Sequence, residues 1–117
     1  MLKVIVAGGR DFADYELLKI TLDKLLINHT EIEIVSGVAK GADLLGLKYA
    51  AEKKIPVRKF PADWNHFGNS AGFKRNVEMA KYANACVCFW DNKSKGTSHM
   101  INTALLYKLK LRTIIYF

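Results

Sequence analysis

Short β-branched runs alternate along this chain with longer stretches of helical periodicity. "LKVIVA" (2–7) is a compact apolar run of the kind that forms a buried parallel strand. From Ala13 to Asn28, Leu18, Leu22, Leu25 and Leu26 fall at spacings of 4, 7 and 8, which predicts an amphipathic helix. "IEIVS" (32–36) predicts a second strand, and 42–54 a second helix with Leu44, Leu47 and Ala51 as its inner stripe. Pro56 ends that helix, and "VRKF" (57–60) reads as a short, peripheral third strand.

The stretch "PADWNHFGNSAG" (61–72) carries no period, and irregular segments of about a dozen residues tend to be functional or disordered. Trp64 and Phe67 argue for a folded flap. A third helix is expected over 72–83, with Phe73, Val77 and Ala80 on one side. "ACVCFW" (85–90) is a fourth strand, followed by a helix aligning Ile101, Ala104, Leu105 and Leu109. "RTIIYF" (112–117) is a fifth. Strands alternating with helices in this way predict an α/β domain: a mainly parallel sheet, right-handed crossovers and helices on both faces.

Length allows one domain: 117 residues fill one core and leave no room for a second. No apolar run approaches the roughly 18 residues of a membrane span. The N-terminus reads as a strand and not a signal peptide, so a cytoplasmic location and no membrane partner are expected. Cys86 and Cys88 would share one strand face, a poor spacing for a disulfide, and read as reduced, buried thiols. The net charge of +7 suits a polyanionic partner, but the lysines are spread along helix faces, as on any solvated surface.

In parallel sheets, ligands bind beyond the carboxyl ends of the strands. Three strand-to-helix connections here carry glycine, "GGRDF", "SGVAKGAD" and "DNKSKGT", and all must lie on that edge. Gly8 and Gly9 place backbone N–H groups near a helix N-terminus, where phosphate or carboxylate is favoured, and Arg10 adds a fork of donors. Asp11 could serve there or cap the helix. The third glycine of a dinucleotide fingerprint is missing.

Gly37 and Gly41 do not form a P-loop either, because Ala42 and Asp43 stand where that motif needs Lys and Ser or Thr. Ser36 and the turn's N–H groups could hold an anion or a ribose edge, and Asp43 could accept from a ribose hydroxyl or cap its helix. Gly96 permits close approach, Thr97 suits an N-cap, and His99 lies in the first helical turn or in a site. Asp91 follows the fourth strand, a common place for an enzyme's carboxylate. Arg75 and Asn76 open the third helix, with Arg75 the better anion ligand for its bidentate geometry. Trp64 could stack on a base or simply pack. No His, Cys or carboxylate spacing suits a metal, and no cofactor is called for.

In order, "AGGRDF", "VSGVAKGAD", "FPADW", "AGFKRNVEMAKYA" and "FWDNKSKGTSHMI" resemble the small YspA-like members of the SLOG superfamily, to which the LOG phosphoribohydrolases and the DNA-processing protein DprA also belong. The resemblance covers nearly the whole chain. It implies a Rossmann-like domain with a nucleotide-related ligand over the strand ends, and a homo-oligomer, in the simplest case a dimer. LOG enzymes cleave the N-glycosidic bond of nucleoside monophosphates; Arg75 matches their arginine and Gly96-Thr97 their G-T, but Met100 stands at the catalytic Glu position and cannot do its work. Asp91 or Asp43 would have to substitute, with Arg75 as phosphate clamp. DprA's SGxAxGxD turn is matched by Ser36, Gly37, Ala39, Gly41 and Asp43, which implies single-stranded nucleic acid as another partner. The leading expectation is a binding domain that senses or sequesters a nucleotide-derived small molecule.

Overall fold

A computed structural model describes all 117 residues. Five parallel strands form one sheet in the order β3-β2-β1-β4-β5: β1 (Leu2–Gly8), β2 (Ile32–Ser36), β3 (Val57–Lys59), β4 (Ala85–Trp90) and β5 (Lys110–Ile115). The connections carry α1 (Tyr15–Leu26), α2 (Ala42–Lys53), α3 (Trp64–Phe67), α4 (Ala71–Tyr82) and α5 (Lys95–Leu106). The α/β class and the parallel sheet are as expected, and β3 is indeed an edge. No helix is long and apolar enough to cross a membrane.

Two cores sandwich the sheet. On one face Val4, Val6, Ile34, Val87 and Phe89 meet Leu18, Leu22 and Leu26 of α1 and Ala42, Tyr49 and Ala50 of α2. On the other, Ile5, Ala7, Val35, Cys86 and Cys88 meet Met79 and Ala80 of α4 and Met100 and Ala104 of α5. The alternation along β1 and β4 is the period-2 pleat, with apolar residues facing both ways because helices cover both faces. The two thiols are free and fully buried, Sγ to Sγ 3.5 Å.

Three helix faces differ from expectation. On α2 the buried residues are Ala42, Asp43, Gly46, Tyr49 and Ala50, whereas Leu44 and Ala51 are exposed and Leu47 is half-buried. The small residues let the helix lie close: a Cβ on Gly46 would stand 2.9 Å from the Val6 side chain. On α4 the inner face is Ala71, Asn76, Met79 and Ala80, with Phe73 turned outward. On α5 it is Thr97, Met100, Thr103 and Ala104; Leu105 is exposed and Leu109 lies beyond the helix. On α4 and α5 the inner stripe combines Met79 and Met100 with small and polar residues.

The segment 61–72 is also more regular than its sequence suggests. Asp63 caps the one-turn α3, its Oδ1 accepting from His66 N at 3.1 Å. A 3-10 turn (Gly68–Ser70) then runs straight into α4.

Candidate functional site

Strand order reverses between β1 and β4, because the chain winds outward through β2 and β3 and then crosses back. A cleft of about 140 Å³ opens there at the carboxyl edge. Its floor is Ala7, Gly8, Met79 and Met100. Arg75 and Asn76 of α4 wall it on one side, and Ser94, Gly96 and Thr97 at the start of α5 on another. Arg10, Asp43 and Trp64 complete the rim, with Ala39, Asn69, Gly72 and Phe73 beside them.

A continuous hydrogen-bond chain spans this cleft. Arg75 Nη1 donates to the Gly37 carbonyl at 2.5 Å, and its Nε donates to Asn76 Oδ1 at 3.1 Å. Asn76 Nδ2 in turn reaches the Gly96 carbonyl at 3.4 Å and His99 Nδ1 at 3.2 Å. The α2 turn, α4 and the start of α5 are thereby tied into one frame. Arg75 Nη2 has no acceptor within the protein. Burial lowers the Arg75 pKa, with nearby Asp43 opposing the shift and Arg10 adding to it, and no carboxylate lies within ion-pair distance of the guanidinium.

Asp43 lies at the base, 4% exposed. Its Oδ2 accepts from Ala39 N at 3.2 Å, which closes the Gly37–Gly41 turn on itself. Burial pushes its pKa up to about 6, against the pull of the Ala39 N–H, Arg75, the Gly8 N–H and Arg10. Ser36 Oγ, also buried, accepts from Val38 N at 3.1 Å and donates to the Asp43 carbonyl at 3.4 Å. Both residues thus shape the turn, and Asp43 alone of the two also lines the cleft.

Two N–H groups of the glycine loops are already engaged inside the protein. Gly9 N donates to the Phe89 carbonyl at 3.0 Å, and Ala42 N to the Gly9 carbonyl at 3.2 Å. Gly41, at φ +89°, lies so close to the first loop that a Cβ would overlap the Gly9 carbonyl oxygen. Gly41 is bare because the two loops press on each other there, whereas a Cβ on Gly9 would overlap the Tyr116 hydroxyl and one on Gly37 the Arg75 guanidinium. Gly96 differs: a Cβ there would meet nothing within 4 Å, so its bareness keeps the cleft open.

At α5 the free donors remain. Ser94, not Thr97, is the N-cap: its Oγ accepts from Thr97 N at 3.5 Å. That leaves the N–H groups of Lys95 and Gly96 without a protein acceptor at the positive end of a 12-residue helix. Thr97 is buried, its hydroxyl 3.3 Å from Ser94 Oγ. His99 falls in the second turn and stacks on Phe73, ring centroids 4.3 Å apart; burial lowers its pKa.

Of the expected site residues, Gly9, Ser36, Gly37, Gly41 and Ala42 do not line the cleft, and two expected carboxylates also stand elsewhere. Asp11 accepts from Tyr116 Oη at 2.6 Å on the far side of β1. Asp91 Oδ1 accepts from Lys93 N at 2.9 Å and Ser94 N at 2.7 Å, an Asx-type turn that lowers its pKa and holds it outside the cleft. Asp43 is therefore the only carboxylate lining the cleft. Trp64 is 49% exposed at the rim, with the Arg10 guanidinium 6.0 Å over its ring. Sequence reasoning missed Asn69, Phe73, Met79 and Ser94 in the lining; Ser94, three residues before Thr97, carried a capping signal that could have been read. No three His, Cys, Asp or Glu side chains gather closely enough to hold a metal.

Comparison with known proteins agrees with this fold. The Gene 61 protein of Mycobacterium phage D29 is 30% identical over 111 residues, covering 89% of each chain. DNA processing protein A from Helicobacter pylori, solved in work on its single-stranded DNA binding mode, superposes with a TM-score of 0.66 at 20% identity, covering 99% of this chain and 66% of that one. At that identity the likeness shows a shared Rossmann-like fold. Residues 2–67 match the family described as "YspA, cpYpsA-related SLOG family", the segment that contains both interlocked glycine loops and Trp64, and the chain belongs to that family.

Proposed function

We propose that the chain binds a nucleotide or nucleotide-derived metabolite in the switch-point cleft, as a sensing or sequestering domain. The observation that carries this reading is the convergence of Arg75, which has no ion-pair partner, with the open N-terminus of α5 across one small cleft. A phosphate between them meets Arg75 Nη2 and the Lys95 and Gly96 N–H groups, with Arg10 at the rim. Asp43, mostly ionised at neutral pH, is an acceptor for a ribose hydroxyl, and Trp64 is a platform for a base. Asn76 holds the frame and does not itself spare a donor.

Isothermal titration with AMP, ADP-ribose and a cyclic dinucleotide tests this. At least one is expected to bind, with the affinity reduced at least tenfold in Arg75→Ala. Failure of all three against demonstrably folded protein overturns the reading. Release of free base from AMP would instead mark the cleft as a hydrolase site, with Asp43 as its acid–base group.

A second reading is single-stranded nucleic acid. It is favoured by three exposed aromatics, Trp64, Phe67 and Phe73, set beside Arg10, Lys74 and Arg75, and supported by the fold shared with the single-stranded DNA-binding protein above. Stacking on such a row contributes about 1–3 kcal/mol per base. An oligothymidylate that binds with an affinity falling steeply with salt, and is lost in Trp64→Ala, would support it; salt-independent binding would exclude it.

A further inference from the structure

The sheet has two helices on each face, but they do not cover it evenly. On one face α5 packs over β4 and β5. On the opposite face α1 and α2 pack against each other, and α2 sits over β1 and β2. On that side β5 leaves Lys110 and Arg112 exposed and Ile114 half-buried, with Tyr116 just beyond the strand. Two clefts occupy the bare strip. One, of about 190 Å³, has an apolar floor of Leu2, Val4, Ala85 and Val87, a wall of Leu25 and Leu26, and a rim of His29, Lys110 and Arg112. The other, of about 680 Å³, lies at the carboxyl end between Phe12 and Tyr116, rimmed by Asp11, Asp14 and Asp91. Half-buried Ile114 joins them.

The charges are sorted by end. No acidic residue lines the first cleft, and neither Lys110 nor Arg112 has an ion-pair partner. The three aspartates of the second cleft are opposed only by Lys93. An α-helix carries a positive N-terminus and a negative C-terminus. A helix laid along this strip with its N-terminus over the aspartates and its C-terminus over Lys110 and Arg112 matches both ends. That direction is antiparallel to β5, the same sense in which α1 and α2 already run. Six strand residues at about 3.3 Å each span roughly 20 Å, the length of about 13 helical residues.

We propose that this strip docks an amphipathic helix of a protein partner, apolar on its inner face, basic in its first turn and acidic in its last. The helix completes the layer that α1 leaves half-built, independently of any ligand in the switch-point cleft.

Two capped 14-residue peptides with the same leucine stripe test it against the full chain by fluorescence anisotropy. One carries lysines in the first turn and glutamates in the last; the other has these charges exchanged. The exchanged peptide is intrinsically the better helix, since its charges suit its own dipole. The first is nevertheless expected to bind at least tenfold more tightly. Lys110→Glu/Arg112→Glu, a surface change that leaves the fold intact by circular dichroism, is expected to reverse that preference. Equal binding of both peptides, or binding of neither, overturns the proposal. So does a sedimentation profile showing that a second copy of the chain already covers the strip, detected as self-association lost in the double variant.

Discussion

Replacing Asp43 with Asn should make the protein more stable and its cleft less capable. The carboxyl is buried, and burial holds its pKa at about 6 against an ordinary 3.8. The folded state therefore binds this proton more tightly than the unfolded chain does. Stability from the group is fully present below pH 3.8 and is lost as pH rises through 6. The gap of about two pH units corresponds to about 3 kcal/mol at 1.36 kcal/mol per unit. Asn keeps an oxygen for the Ala39 N–H while removing the ionisation. Asp43→Asn is thus expected to match the parent near pH 4 and to exceed it by about 1–3 kcal/mol at pH 8, a rise of several degrees in Tm. Urea denaturation at half-unit pH steps measures both curves. A variant less stable than the parent at pH 8 would refute the reasoning, because it would mean that Arg75 and the turn N–H groups favour the ionised form on balance. Nucleotide titration of the same variant at pH 7.5 should show weaker binding, since a ribose acceptor is lost; stability gained with affinity lost is the mark of a group retained for its site.

The glycines divide in a way that two variants expose. Gly41→Ala forces a side chain into a positive-φ position against the Gly9 carbonyl, and a loss of at least about 2 kcal/mol in chemical denaturation is expected. Gly96→Ala, in open space on the first turn of α5, should be neutral or stabilising by about 0.5 kcal/mol, yet it should weaken phosphate binding by narrowing the cleft. Arg75→Lys keeps the charge but loses the fork that joins Gly37 to Asn76. A loss of about 1–2 kcal/mol in stability and a tenfold or greater loss of nucleotide affinity are expected, by denaturation and calorimetry respectively.

Strand and helix order was legible in this sequence because β-branched runs and the leucine period of α1 each have one reading. Leu18, Leu22 and Leu26 are buried where the period put them. The faces of α2, α4 and α5 were not legible. α2 approaches the sheet closely through Ala42, Gly46 and Ala50 and leaves Leu44 outside, while α4 and α5 turn Met79, Met100 and the polar Asn76, Thr97 and Thr103 inward and leave Phe73 and Leu105 outside. Hydrophobic periodicity registers the large residues and so points about one position away.

Much of the candidate site was legible as a place: Gly8, Arg10, Asp43, Trp64, Arg75, Asn76, Gly96 and Thr97 all line one cleft. Their division of labour was not. Whether a glycine turn faces a ligand or another loop depends on a contact between residues about 30 positions apart, Gly9 with Gly41 and Ala42. Asp91 and Asp11 look like site carboxylates in sequence, but neither lines the cleft: Asp91 accepts from the Lys93 and Ser94 N–H groups, and Asp11 from the Tyr116 hydroxyl.

Binding of a phosphate-bearing nucleotide between Arg75 and the start of α5 is tested most directly by a two-dimensional 15N NMR titration of the full chain with AMP and ADP-ribose. Saturable shifts are expected, concentrated at the Lys95 and Gly96 amides, the Arg75 Nε–H and the Trp64 indole, and absent in Arg75→Ala. A spectrum unmoved by either nucleotide, or shifts that cluster away from these groups, would contradict binding there.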